Sequence, residues 1–243
     1  IFLKNLSFIN YLIIFLFFLY AIILTRYHYD GHHIGLIYSN SIDFINGKLP
    51  YKEIFIQYGI LTTVINSLVL IFFQKKIFFI IFFNSIFYSL AIIFISKTIK
   101  NFTNLNFAFL GTILILFNHP VPWLPWSNYI AFFFISLSLY FLSKSKKNYF
   151  LIGLILSMSI LTRQDFLIPI LFAFIFFCIF FYFLNKNFFI KKTTFLIIGF
   201  FIPILTFLIY LKFFDIYHYW LNYFSLPQIY LNKYEITSIR LIF

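Results

Sequence analysis

Acidic side chains are nearly missing from this sequence: Asp and Glu together number 6 in 243 residues, against 18 Lys and Arg. Charge of either sign amounts to 10% of the chain, where soluble domains carry about 25%. A chain so poor in charge is neither a soluble globular domain nor a disordered segment, since both depend on polar surface to stay in water. Cysteine is nearly missing as well. Cys178 is the one cysteine and lies inside an apolar run, so an internal disulfide is excluded, and no Cys/His spacing fits a zinc site. The sequence has no internal repeat and no low-complexity linker.

What fills the chain instead is apolar and aromatic. Hydrophobic residues make up 63% and aromatic residues 26%, with 42 Phe and 18 Tyr, and the mean hydropathy is +0.99. Long apolar runs of this kind predict an all-α polytopic membrane protein. The formal net charge of +12 would point to nucleic acid in a soluble protein. Here the lysines gather between apolar runs, where they set orientation and touch anionic head groups. Membrane lipids, and not nucleic acid, are therefore the expected partners. The first run is followed by no small-residue cleavage site and reads as an anchor helix rather than a signal peptide. Residue 1 is Ile, and the chain stops at Phe243 just after a polar segment. The expectation is the amino-terminal part of a longer protein, with a single membrane module over 1–243.

Apolar runs occur at 6–25, 60–73, 77–96, 105–117, 129–142, 149–162, 166–184 and 194–211. The run 60–73 is short for a span, which needs about 20 residues, but other runs are nearly as short, so charge has to decide. With 60–73 on the membrane surface, loops 97–104, 143–148 and 185–193 share one side. They hold Lys97, Lys100, Lys144, Lys146, Lys147, Lys186, Lys191 and Lys192. The opposite short loops, 118–128 and 163–165, hold only Arg163. If 60–73 crossed, the excess of positive charge would face outward at every short loop after residue 77, against the positive-inside rule. The prediction is therefore seven transmembrane helices, the remaining runs, in the cell's inner (plasma) membrane, with 60–73 a juxtamembrane helix. A first outer loop covers 26–76, and a later one begins at 212–243. All six acidic residues (Asp30, Asp43, Glu53, Asp165, Asp215, Glu235) and all five histidines (His28, His32, His33, His119, His218) then fall on the outer side, so any acid–base chemistry is extracytoplasmic.

The first outer loop opens with Tyr29-Asp30-Gly31-His32-His33. Its spacing predicts a helix over Ile34 to Asn46, ended by Gly47 and Pro50. Asp30 has two readings: a general base held ionised at the membrane surface, or the N-cap of that helix. His32 and His33 are adjacent and point in different directions. A divalent metal ion, if there is a cofactor, has Asp30, Glu53 and His32 as its candidate ligands. Glu53 beside Lys52 also reads as a plain surface pair. In the second outer loop, three prolines stiffen residues 118–128, and Trp123 and Trp126 belong at the interface. His119 and Asn128 are candidates to face a site. Arg163 in the third outer loop suits a lipid phosphate, which arginine grips with a planar fork of donors. Pairing with Asp165 or snorkelling to head groups would account for it equally well. The tail residues Asp215, Tyr217, His218, Tyr219 and Trp220 suit sugar stacking or interface anchoring.

Taken in order, these features resemble the GT-C superfamily of integral-membrane glycosyltransferases, among them the protein O-mannosyltransferases and lipid A aminoarabinose transferases. The resemblance rests on Tyr29-Asp30-Gly31 after the first span, on Gly47-Lys48-Leu49-Pro50-Tyr51-Lys52-Glu53 followed by Gln57-Tyr58-Gly59, and on Leu161-Thr162-Arg163 ending a span. It implies an inverting transfer from a polyprenyl-phosphate-linked sugar to an acceptor hydroxyl on a lipid, glycan or protein. It implies Asp30 as base, Glu53 near metal or substrate, and Arg163 near the lipid phosphate. Lys52, His32, His33, His119 and Asn128 complete the candidate substrate-binding set. Several members carry an Asp where this chain has Ser127-Asn128, which speaks against a mechanism with two carboxylates. The competing readings are a transporter or flippase for lipid-linked glycans and a non-catalytic partner in envelope assembly. Transporters usually place ionisable groups within their spans. The seven predicted spans contain none, which favours the enzyme.

Overall fold

Within lipid a backbone satisfies its hydrogen bonds internally only as a helix or a closed barrel, and the apolar runs of this chain all fold as helices. The computed structural model describes residues 2–24, 33–118, 127–184 and 186–222. In order, the helices are α1 (Phe2–Leu24), α2 (His33–Ile45), α3 (Ile60–Phe72), α4 (Ile77–Phe102), α5 (Leu105–Asn118), α6 (Ser127–Ser143), α7 (Tyr149–Thr162), α8 (Leu167–Leu184) and α9 (Lys186–Phe213), with a 3₁₀ turn over Gln164–Phe166 before α8. Among the described residues there is no strand, only an isolated bridge between Pro50 and Ile54. Among the described residues, three stretches are long and apolar enough to cross a membrane: Leu6–Ile23, Ile77–Phe102 and Lys192–Phe213. The helices Ile60–Phe72, Leu105–Asn118 and Tyr149–Thr162 are apolar but shorter.

Two helices outrun their apolar runs. α4 continues to Phe102 and α9 begins at Lys186, so Lys97, Lys100, Lys186, Lys191 and Lys192 stand on helical turns rather than in loops. Lysine is a good helix former, and nothing breaks either helix at those points. Lys100 lies in the last turn of α4, where a cation complements the carboxyl end of the helix dipole. Lys97 and Lys144 both lie against the Tyr140 ring, at 5.9 and 4.6 Å. Lys97, Lys100 and Lys144 thus stand together at the carboxyl ends of α4 and α6.

Side-chain contacts fix the helix directions. Asn101 Nδ2 donates to Ser143 Oγ at 2.9 Å, and the rings of Tyr88 and Tyr129 lie 4.8 Å apart, so α4 and α6 run parallel. α1 runs against α4: Asn10 Nδ2 donates to Ser96 Oγ at 2.8 Å, Ile14 packs with Tyr88 and Ile92, and Phe18 meets Phe82. α7 and α9 run parallel and pack more extensively than any other described pair. Gly153 sits on the backbone of Leu196 and Phe200, and Ile160 shares a core with Phe200 and Ile204.

α2 and α3 gather at the opposite end, by the start of α4 and the last turns of α7 and α9, where Lys48, Lys52, Lys75, Lys76 and Lys212 also lie. Ile37 of α2 and Leu70 of α3 pack on Ile80 near the start of α4. Asn84 Nδ2 donates to Asn66 Oδ1 at 3.0 Å, both side chains buried. At its other end α3 meets the last turn of α7, where Thr62 Oγ1 donates to the Thr162 carbonyl at 2.8 Å. A second core at this end joins Tyr51, Ile54 and Ile56 to Phe207, Leu211 and Ile216. It ties the segment between α2 and α3 to the end of α9.

Candidate functional site

α2 stops where the sequence predicts. Gly47, at φ 84°, holds the left-handed C′ position. Lys48 N bonds to the Asp43 carbonyl and Gly47 N to the Phe44 carbonyl, each at 3.1 Å, the reciprocal pair of a Schellman cap. The chain then turns tightly through Pro50. Tyr51 is buried and takes a φ of 67°, a left-handed conformation that a bulky side chain adopts only when its surroundings enforce it. What enforces it is a bond from the Tyr51 amide to the Ile54 carbonyl at 3.0 Å and a bond from Gln164 Nε2 to the Tyr51 hydroxyl at 2.9 Å. Eight residues on, Gly59 lies against the Leu161 and Thr162 carbonyl region so closely that a Cβ there would stand 2.7 Å from Thr162 O. Glycine is needed here for the approach of two backbones, since its own φ is extended.

That approach carries Tyr58 to Arg163. The guanidinium carbon lies 5.3 Å from the Tyr58 ring centre and 5.6 Å from that of Phe166, both within cation–π range. Arg163 Nε donates to Asp165 Oδ1 and Oδ2 at 2.8 and 2.9 Å. The pairing with Asp165 expected as one reading of Arg163 is therefore present. It uses only Nε; among the described residues the two terminal amino groups of Arg163 have no hydrogen-bond partner. The Tyr58 hydroxyl lies 3.2 Å from His33 Nδ1, so the first residue of α2 is linked to Arg163 through one ring.

Of the candidate residues, the structure thus brings together His33 and Arg163. Lys52 and Glu53 share the segment between α2 and α3 but make other contacts. Lys52 Nζ lies 5.9 Å from the Tyr219 ring, and Glu53 Oε2 accepts from the Leu49 amide at 2.7 Å, closing its own turn. Asn128, at the start of α6, has a buried Oδ1 without a partner among the described residues. Asp30, His32 and His119 lie outside the described residues, as do Trp123, Trp126 and Glu235. Of the candidate metal ligands only Glu53 is described, with one carboxylate oxygen already engaged by a backbone amide.

Trp220 turns inward, ring to ring with Phe207 at 5.7 Å. It closes a cavity of about 170 Å³ with Tyr51, Gln164, Leu161 and Leu167. A larger groove of about 480 Å³ runs between α6, α7, α8 and α9. Its walls are almost wholly aliphatic, and it reaches Phe166, the ring beside Arg163.

Tyr58, Gly59, Tyr51 and Gln164 are the candidate-site positions that the residue-by-residue reading passed over. The first three stand in the segments that carry the resemblance, and Gln164 stands between Arg163 and Asp165. A glycine followed by a helix with no capping side chain was the one local signal. No protein-family model matches this chain, and no curated protein or solved structure matches it either.

Proposed function

We propose that this chain is a membrane-embedded glycosyltransferase that moves a sugar from a polyprenyl-phosphate donor to an acceptor hydroxyl at the outer face of the inner membrane. The observation that carries the reading is the state of Arg163. Its guanidinium lies between two aromatic rings at one end of an apolar helix bundle, with both terminal amino groups uncommitted among the described residues. An uncommitted arginine fork is suited to a phosphate. The aliphatic groove that reaches Phe166 supports a ligand whose phosphate is attached to a hydrocarbon chain.

The topology belongs to the same reading: seven spans (α1 and α4–α9), the lysine-rich end in the cytoplasm, and α2 and α3 on the outer surface. Supporting it, α3 meets the last turn of α7 at one end and the first turns of α4 at the other, which are neighbouring levels of the bundle. The four described acidic residues, Asp43, Glu53, Asp165 and Asp215, lie on the elements gathered at that end. Asp30, at the mouth of the first outer loop, is the base. It accepts the proton of the acceptor hydroxyl as that oxygen bonds to the anomeric carbon. The bond from that carbon to the phosphate oxygen breaks, its electron pair goes to the phosphate, and Arg163 holds the charge that develops there. Direct displacement inverts the anomeric centre. Lys52, His33 and Asn128 border the acceptor side.

Donor binding tests the anchor of this account. Arg163→Ala should weaken binding of a polyprenyl-phosphate sugar at least about tenfold, as expected for losing charge-assisted hydrogen bonds, measured by native mass spectrometry of the protein in neutral-lipid nanodiscs. Unchanged donor binding would remove Arg163 from the site.

A further inference from the structure

The positive charge of Arg163 is opposed by a neighbouring carboxylate. Asp165 lies on its Nε at 2.8 Å through Oδ1 and at 2.9 Å through Oδ2, so the pair is formally neutral while the two terminal amino groups have no hydrogen-bond partner among the described residues. Tyr58 and Phe166 flank the guanidinium, and the His33 contact holds the Tyr58 ring. These contacts leave the fork in place and its direction fixed.

We propose that the Arg163–Asp165 pair selects a singly charged phosphodiester over a doubly charged phosphate monoester; this rests on the reading of Arg163 as the holder of a lipid phosphate. A phosphodiester carries one negative charge and gains the fork's hydrogen bonds with little repulsion from Asp165. A monoester carries up to two charges once the pH is well above its second pKa of about 6. The second charge then faces the Asp165 carboxylate, which the same guanidinium cannot neutralise twice. The donor of the proposed reaction is such a diester. When the anomeric carbon–oxygen bond breaks, the electron pair stays on the phosphate and the lipid becomes a monoester. Substrate and product thus differ by one charge at the atom that Arg163 holds. Asp165 makes the site hold the donor and let the product go, and it is a specificity-determining residue rather than a catalytic one.

The test uses two probes with the same hydrocarbon chain, a polyprenyl phosphate and its methyl diester, bound at pH 8 to the full-length protein in neutral-lipid nanodiscs and read by native mass spectrometry. Asp165 is 59% exposed on its side chain, so Asp165→Asn, which keeps the shape and an acceptor for Nε, leaves the fold intact. Asp165→Asn should tighten binding of the monoester roughly three- to fivefold, the range of an exposed charge pair, and change binding of the diester less than about twofold. Asp165→Glu, which restores the charge, should return the wild-type preference. Arg163→Ala should weaken both probes. If Asp165→Asn moves both probes equally, or neither, while Arg163→Ala weakens both, the charge selection is wrong and the phosphate site stands. If Arg163→Ala changes neither probe, the phosphate site itself is wrong, and the selection falls with it.

Discussion

Asp30→Asn should abolish most transfer activity while leaving donor binding and folding close to wild type. The substitution keeps the size of the side chain and an oxygen that accepts hydrogen bonds, and removes only the capacity to take a proton. General-base assistance is typically worth about 10²–10⁴-fold in rate, and that is the loss expected. The phosphate leaving group needs no proton, so a second carboxylate is not required, in keeping with Ser127-Asn128 at the start of α6. The measurement is the initial rate of label transfer from a radiolabelled lipid-linked sugar in membranes carrying each variant, with donor binding measured in parallel. Near wild-type turnover in Asp30→Asn would leave Asp30 as a cap for α2 and nothing more.

The largest loss of stability should come from the α7–α9 seam. A Cβ at Gly153 would stand 2.8 Å from Phe200 N and against the Leu196 carbonyl; one at Gly199 would stand 2.9 Å from Phe150 C and against its carbonyl. The obstacle in each case is backbone, which has no rotamer to give way. Small residues let membrane helices approach this closely, where no hydrophobic force drives them together. Gly153→Ala and Gly199→Ala should each cost about 1–3 kcal/mol, the usual range for an overpacked core. The double variant should separate the helices. Because the end of α9 carries the core that seats Tyr51 and Ile54, the damage should spread to the site. Thermal unfolding in detergent reads this. Gly35→Ala in α2, with open space around its Cβ position, is the matched control and should not lower the melting temperature, since alanine favours a helix over glycine.

The helices were legible because lipid leaves an apolar chain little choice of structure. Where the signal was chemical it was accurate to a residue or two: Gly47 ends α2 as a C′ glycine should, and α3 coincides with the short run at 60–73. The ends of α4 and α9 were misjudged because lysine stops an apolar run without stopping a helix. Pairings distant in sequence were not legible. Gln164 finds Tyr51 across 113 residues and Thr62 finds the Thr162 carbonyl across 100, and such contacts follow from packing, not from local pattern. Asn66 and Asn84 were a signal left unused. An asparagine inside an apolar run needs a partner when buried, and here Asn84 donates to Asn66 while Asn66 donates to the Thr62 carbonyl. Of the candidate site, Arg163 stood out as the one basic residue in the short segment 163–165 between two apolar runs. Its Tyr58 and Phe166 flanks and the contact from His33 emerged only once α2, α3 and the end of α7 met.

Sugar transfer with inversion from a polyprenyl-phosphate donor leaves its record in the product. It is tested most directly by incubating the purified full-length protein with a radiolabelled donor of known anomeric configuration and candidate lipid, glycan and protein acceptors, then determining the linkage in the product. Label should leave the lipid, polyprenyl phosphate should be released in equal amount, and the new glycoside should have the opposite anomeric configuration. A product with retained configuration, or a protein that binds the donor and transfers its sugar to none of these acceptors or to water, would contradict it.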